Sequence, residues 1–162
     1  MAELNALSAG DFVRVIGPVF EHSPWIATET ASRRPFSDVD TLLADLCDTV
    51  RKASDDQKLA LIRAHPDLVG RMALTAQSSS EQAAARLNKL TLEEVALFQK
   101  QNAAYRQKFD FPFVICARLN KKEAIIEGFE RRLQNSREQE IRAALEEIFK
   151  IAALRLRDLI KE

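Results

Sequence analysis

Apolar residues recur three or four positions apart along most of this chain, the spacing that lines one face of an α-helix. Phe12, Val15, Ile16, Val19 and Phe20 form one such stripe and predict a first helix from about Ala9 to Glu21. A second, weaker helix is expected from about Pro24 to Arg33. Pro24 suits a first helical position, where its missing N–H has no partner to lose. Val39, Leu42, Leu43, Leu46 and Val50 face inward from a third helix, about Ser37 to Lys52. A fourth spans about Asp55 to Ala64 and is stopped by Pro66. A loop containing Gly70 follows, from about Pro66 to Gln77. Further helices are expected at about Ser79 to Leu90, Leu92 to Phe109, Lys121 to Leu133 and Arg137 to Lys161. In the last, Ile141, Leu145, Ile148, Ile151, Ala152 and Leu159 make the inward stripe, with Arg142, Glu146 and Lys150 in solvent.

Helix starts are marked by polar pairs. Ser54-x-x-Gln57, Ser78-x-x-Glu81, Thr91-x-x-Glu94 and Ser136-x-x-Gln139 each fit a capping box, in which two side chains satisfy orphan backbone donors. Asn120-x-x-Glu123 is a variant with an Asn cap. The stretch from Phe109 to Cys116 departs from the helical pattern: it is rich in aromatic and β-branched residues and apolar from Phe111 on. With no partner strand in sight, it reads as a buried extended connection leading into a short helix. The expectation is therefore an all-α, single-domain bundle of about eight helices with a long C-terminal helix, covering residues 1–162.

Composition narrows the function. The chain has 162 residues, enough to bury a core without disulfides or metal. Its 24 basic and 24 acidic side chains cancel, which argues against a nucleic-acid binder or a protein drawn to anionic membranes. No run approaches the roughly 18 apolar residues of a membrane span, and no signal-peptide pattern opens the chain. A cytoplasmic location is expected, with Cys47 and Cys116, both in apolar runs, as buried free thiols.

Only two histidines occur, which disfavours a metal hydrolase. His22 reads as a polar residue at a helix end. His65 lies in Ile62-Arg63-Ala64-His65-Pro66-Asp67-Leu68, where Pro66 forces an extended backbone at the mouth of a helix. Its ordinary pKa suits proton transfer near neutrality, although by itself a structural histidine is the first reading. Glu81 completes a capping box on spacing alone, yet the same helix start offers the hydroxyls of Ser78, Ser79 and Ser80 and the amide of Gln82, an arrangement that suits an anion. Arg155 falls four residues after Ile151, on the inward stripe. A structural salt bridge is its default, and a bidentate grip on a substrate carboxylate the sharper alternative.

Several ordered blocks resemble the 2-oxo-4-hydroxy-4-carboxy-5-ureidoimidazoline (OHCU) decarboxylase family. They are Ile62 to Leu68, Ser78 to Gln82 (SSSEQ), Asn102 to Tyr105 followed by Lys108 to Cys116, Arg132 to Asn135, and Lys150 to Leu159. The resemblance implies an all-α fold, usually a homodimer, and cofactor-independent decarboxylation of a small ureidoimidazoline acid to (S)-allantoin, the last step from urate. It places the family's catalytic histidine on His65 and its paired glutamate on Glu81. Substrate contacts would come from Pro66, Ser78, Ser79, Ser80 and Gln82, from Phe113, Val114, Ile115, Cys116 and Ala117, and from Arg155. No metal and no other cofactor is implied. Departures from the family pattern are Asp110, where Gly is usual, the lack of a glycine in Ala83 to Arg86, and a short loop between His65 and Ser78. Two other classes stay in view: a helical interaction module, and a lyase acting on a related ureido acid.

Overall fold

The structure is a computed structural model that describes residues 1–69, 80–83, 87 and 89–161. Among these residues the regular structure is helical throughout. The chain divides into two units: Met1–Ala64 with the chain from Phe149 onward, and His65–Ile148.

The first unit opens with α1 (Ala2–Ala6) and α2 (Ala9–Ile16). Ser8 caps α2, its hydroxyl accepting from the Asp11 N–H at 3.1 Å. The α-helix ends at Ile16, five residues before the expected Glu21, and gives way to a 3₁₀ turn over Gly17–Val19. Pro18 is the cause: it has no N–H to continue the ladder, and its ring clashes with the carbonyl four residues back. Phe12, Ile16, Val19 and Phe20 are buried as expected, whereas Val15 is 40% exposed. Next come α3 (Trp25–Thr30), a 3₁₀ turn over Ala31–Arg33, α4 (Val39–Arg51) and α5 (Asp55–Arg63). Helix α4 starts later than expected because Asp38 caps it, accepting from the Thr41 N–H at 2.7 Å. The Ser54–Gln57 capping box opens α5. Polar pairs tie the unit together: the buried Thr30 and Thr49 hydroxyls at 2.8 Å, and the half-buried Asn5 amide, which both donates to and accepts from the Phe36 backbone at 2.9 Å.

In the second unit, α6 (Leu92–Phe109) starts at the Thr91–Glu94 capping box. It ends at Asp110, which stands in the left-handed conformation (φ 63°, ψ 28°) favoured by the glycine it replaces in the resemblance. Residues 111–117 are all buried, and the segment up to Cys116 is extended, as expected, before a 3₁₀ turn over Ala117–Leu119. Helix α7 (Lys122–Arg132) follows. The Asn120 cap is a correction: the N-cap is Lys121, without a side-chain bond, and Asn120 Nδ2 donates to the Cys116 carbonyl at 2.9 Å. Asn120 closes the preceding turn instead of opening the next helix. The core is aromatic. Phe113 stacks on Phe129 with ring centroids 3.8 Å apart, and Tyr105 meets Phe113 edge-on at 5.3 Å.

The 23-residue α8 (Arg137–Leu159) begins in the second unit, at the Ser136–Gln139 capping box, and ends in the first. Ala144, Leu145, Ile148, Phe149, Ile151, Ala152 and Leu156 are buried, and Arg142, Glu146 and Lys150 are exposed. Leu159, expected inward, is 50% exposed, and Ile141 is only half-buried. The Gly70 loop beyond Val69 and Ser78 of the Ser78–Glu81 box lie outside the described residues; of the helix expected at Ser79 to Leu90, residues 80–83 are helical, whereas Leu87, Lys89 and Leu90 are not.

Candidate active site

His65 emerges where α5 runs out. Ala64 caps α5 in the αR conformation, and Pro66 disfavours another turn. The imidazole is buried, at 6% exposure, unusual for a side chain on a connection between elements.

The residues just after it are held by three side chains from two elements. Arg106 Nε donates to both oxygens of Asp67, at 2.8 and 3.1 Å. Asn102 Nδ2 donates to the Leu68 carbonyl at 2.7 Å in a buried bond. The Val69 N–H donates to Gln82 Oε1 at 3.2 Å. Val69 itself has φ 58°, a genuine outlier for a β-branched residue.

Gln82 belongs to the helical residues 80–83, which also carry Glu81 and Ser80. Glu81 and Gln82 are half-buried and Ser80 is exposed. The bond from Val69 therefore ties the histidine loop to the helix bearing Glu81. Ser78 and Ser79 lie outside the described residues. Glu81 is also within electrostatic reach of the third element, the buried segment. Burial pushes the Cys116 thiol above its usual pKa, and the carboxylates of Glu147 and Glu81 push it the same way. The thiol is thus held protonated, a poor nucleophile.

No strand occurs among the described residues, and side chains take up part of the hydrogen bonding of the segment Phe113 to Ala117. Glu147 Oε1 accepts from the Cys116 N–H at 3.3 Å, and Arg132 Nη1 donates to the Val114 carbonyl at 2.6 Å. Arg132 is anchored in turn by fully buried Glu140, its Nε bonding Oε1 at 2.7 Å. The Tyr105 hydroxyl donates to the same oxygen at 2.5 Å, and Asn135 Nδ2 to Oε2 at 2.9 Å. Burial, then the bond to Glu140, raises the Tyr105 pKa far above its ordinary value, so the phenol stays a donor. The guanidinium lies over the Phe113 ring, 4.3 Å from its centroid.

Arg155 is in the first unit and buried, so the inward placement holds. Its Nη2 donates to Glu21 Oε1 at 2.9 Å, and its Nη1 reaches the Pro18 and Val19 carbonyls at 3.5 Å. This is the salt bridge expected by default. His22, 68% exposed, lies beside the same glutamate, its Nε2 3.7 Å from Oε2.

Sequence reasoning overlooked the supporting residues Asn102, Arg106, Glu140 and Glu147. Asn102 stood in one of the blocks that carry the resemblance without a role assigned to it, and its spacing to Arg106, four apart on one face of a helix, was a further signal.

Residues 5–157 match the family model described as OHCU decarboxylase. The chain is 42% identical over 156 residues to 2-oxo-4-hydroxy-4-carboxy-5-ureidoimidazoline decarboxylase of Haloferax volcanii, covering 96% of this chain and 93% of that protein. To the enzyme of the same name from Amia calva it is 40% identical over 168 residues, covering 99% and 94%. Its fold superposes on a crystal structure of (S)-allantoin synthase with a TM-score of 0.80 and 30% identity, across 98% of this chain and 53% of the other. With blocks, fold and nearly full-length relatives in agreement, the chain belongs to the OHCU decarboxylase family.

Proposed function

We propose that this chain converts OHCU to (S)-allantoin and CO₂ without a cofactor, the final step from urate, with His65 as the acid–base group and Glu81 as its partner. The observation that carries the reading is a buried histidine whose loop is hydrogen-bonded to the helix bearing Glu81, itself within reach of the buried segment at Cys116. Nearly full-length relatives bear the name of this activity.

The substrate can hold the electrons itself. When the bond between the ring carbon and its carboxylate breaks, CO₂ leaves and the electron pair flows into the adjacent ring C=N, whose nitrogen takes a proton. The resulting enol gives up its hydroxyl proton, and the former imine carbon receives one, on a single face because the product is chiral. One proton is taken up overall. His65 handles the hydroxyl proton or delivers the carbon-bound one, work of a kind that contributes about 10²–10⁴-fold. Glu81 orients the imidazole, Gln82 and the serines at 78–80 bind the ureido and carboxylate groups, and the backbone from Phe113 to Ala117 with Pro66 fixes the ring against free rotation. The reading rests on residues of the second unit. The resemblance further supports a homodimer, checked by sedimentation of the purified protein.

The test is His65→Asn supplied with freshly generated substrate, following CO₂ release and, by circular dichroism, the handedness of allantoin. Loss of accelerated (S) product is expected; (S)-allantoin at the wild-type rate would remove His65 from the chemistry. Glu81→Gln separates cap from partner. Glutamine still closes a capping box, as Gln57 and Gln139 do, so a Glu81 that only caps keeps both stability and turnover in the variant, whereas a catalytic partner loses turnover with stability kept.

A further inference from the structure

One peptide group joins the histidine loop to two different elements. The carbonyl of Leu68 and the N–H of Val69 belong to the same planar unit and point to opposite sides of it. Asn102 Nδ2 holds the carbonyl at 2.7 Å, and Gln82 Oε1 holds the N–H at 3.2 Å. A rotation of this plane breaks both bonds at once.

We propose that Asn102 is a positioning residue for His65, acting through the Leu68–Val69 peptide to hold the imidazole in register with Glu81 and Gln82. The proposal rests on His65 being the acid–base group.

Three observations support it. First, Val69 sits at φ 58°, a backbone conformation that is strained for a β-branched residue and persists only when its surroundings over-determine it. The bonds on either side of its peptide are that constraint. Second, Arg106, one helical turn beyond Asn102 on α6, grips Asp67. Two consecutive loop residues, two and three positions after His65, are thus fastened to one face of one helix. Third, Asn102 is only 6% exposed, and its Oδ1 has no hydrogen-bond partner among the described residues. A buried, half-satisfied amide costs stability that an apolar side chain of similar volume would not. The bond to Leu68 is what the amide supplies in return.

Asn102→Leu separates the two roles, because it keeps the volume and deletes the donor. With OHCU as substrate, kcat is expected to fall about 10- to 100-fold with KM little changed, the effect of a misplacement on the order of 1 Å, while the melting temperature holds. Nuclear magnetic resonance gives a readout independent of turnover. The chain has two histidines, and His22 is 68% exposed, so the buried signal is His65. Its ring resonances and titration midpoint are expected to move in Asn102→Leu. Wild-type kcat together with unmoved His65 signals would overturn the proposal. If Asn102→Leu does not fold, Asn102→Ser, which also cannot span the gap to Leu68, carries the same comparison. If the wild-type protein fails to turn over OHCU, the functional reading falls, and the resonance comparison still decides whether Asn102 sets the imidazole.

Discussion

Glu140→Gln is the most demanding perturbation of the second unit. Glu140 is fully buried and accepts from the Tyr105 hydroxyl, Arg132 Nε and Asn135 Nδ2. Glutamine keeps the shape but removes the charge opposite Arg132, itself only 7% exposed. The arginine has little else to fall back on: Nη1 is committed to the Val114 carbonyl, and Nη2 has no hydrogen-bond partner among the described residues. Removing one member of a buried ion pair leaves an uncompensated charge and costs about 3–5 kcal/mol. In a chain of this length each kcal/mol lowers the melting temperature by about 2–4 °C, so a drop of roughly 6–20 °C is expected. Thermal and urea unfolding followed by circular dichroism measure it. Adding Arg132→Met removes the stranded charge, so the double variant should be more stable than Glu140→Gln alone. A loss below about 1 kcal/mol for Glu140→Gln, or no recovery in the double variant, would refute the claim that this pair is held by buried charge.

Three further outcomes are expected. Asp110→Gly should be neutral or stabilising and Asp110→Val destabilising by about 1–2 kcal/mol, since φ is 63° there and a Cβ crowds the following carbonyl; melting curves of the pair decide it. Cys116 should resist a thiol reagent at pH 8 in the native protein and react promptly in urea, because the thiol is 1% exposed and held protonated by burial; prompt native labelling would contradict that placement. Lys122 and then the Thr91 backbone hold the Glu94 carboxyl below its usual pKa of 4.5. A carboxyl depressed in the folded state stabilises above its unfolded pKa and loses that contribution as pH falls through the lower folded value. The melting temperatures of wild type and Glu94→Gln should therefore converge as pH falls below the usual carboxyl value of 4.5 and through the lower folded one, and a constant gap would sink the assignment.

Much of the fold was legible because it is local. Ser54, Thr91 and Ser136 announce helices within four residues of themselves, and all three boxes form. The unbroken apolar run before Cys116 was readable as buried and extended for the same reason. Where local signals compete, the reading slipped. The Val15 and Val19 spacing suggested a longer helix than Pro18 permits, and Asn120 looked like a cap for α7 but bonds backward to Cys116. The stripe of the last helix was also too simple, since Leu159 lies half in solvent.

By itself the sequence determined the helical class, the main helix starts, the absence of a charge bias and the ordered blocks that point to the family, because these depend on residues near one another in the chain or on residue identity alone. Tertiary structure decided how the site is supported. Asn102 reaches back 34 residues to Leu68, Arg106 39 to Asp67, Tyr105 forward 35 to Glu140, and Arg155 134 to Glu21. No periodicity encodes such pairings. A buried polar group must find a partner wherever packing brings one, and only the folded chain specifies which one that is.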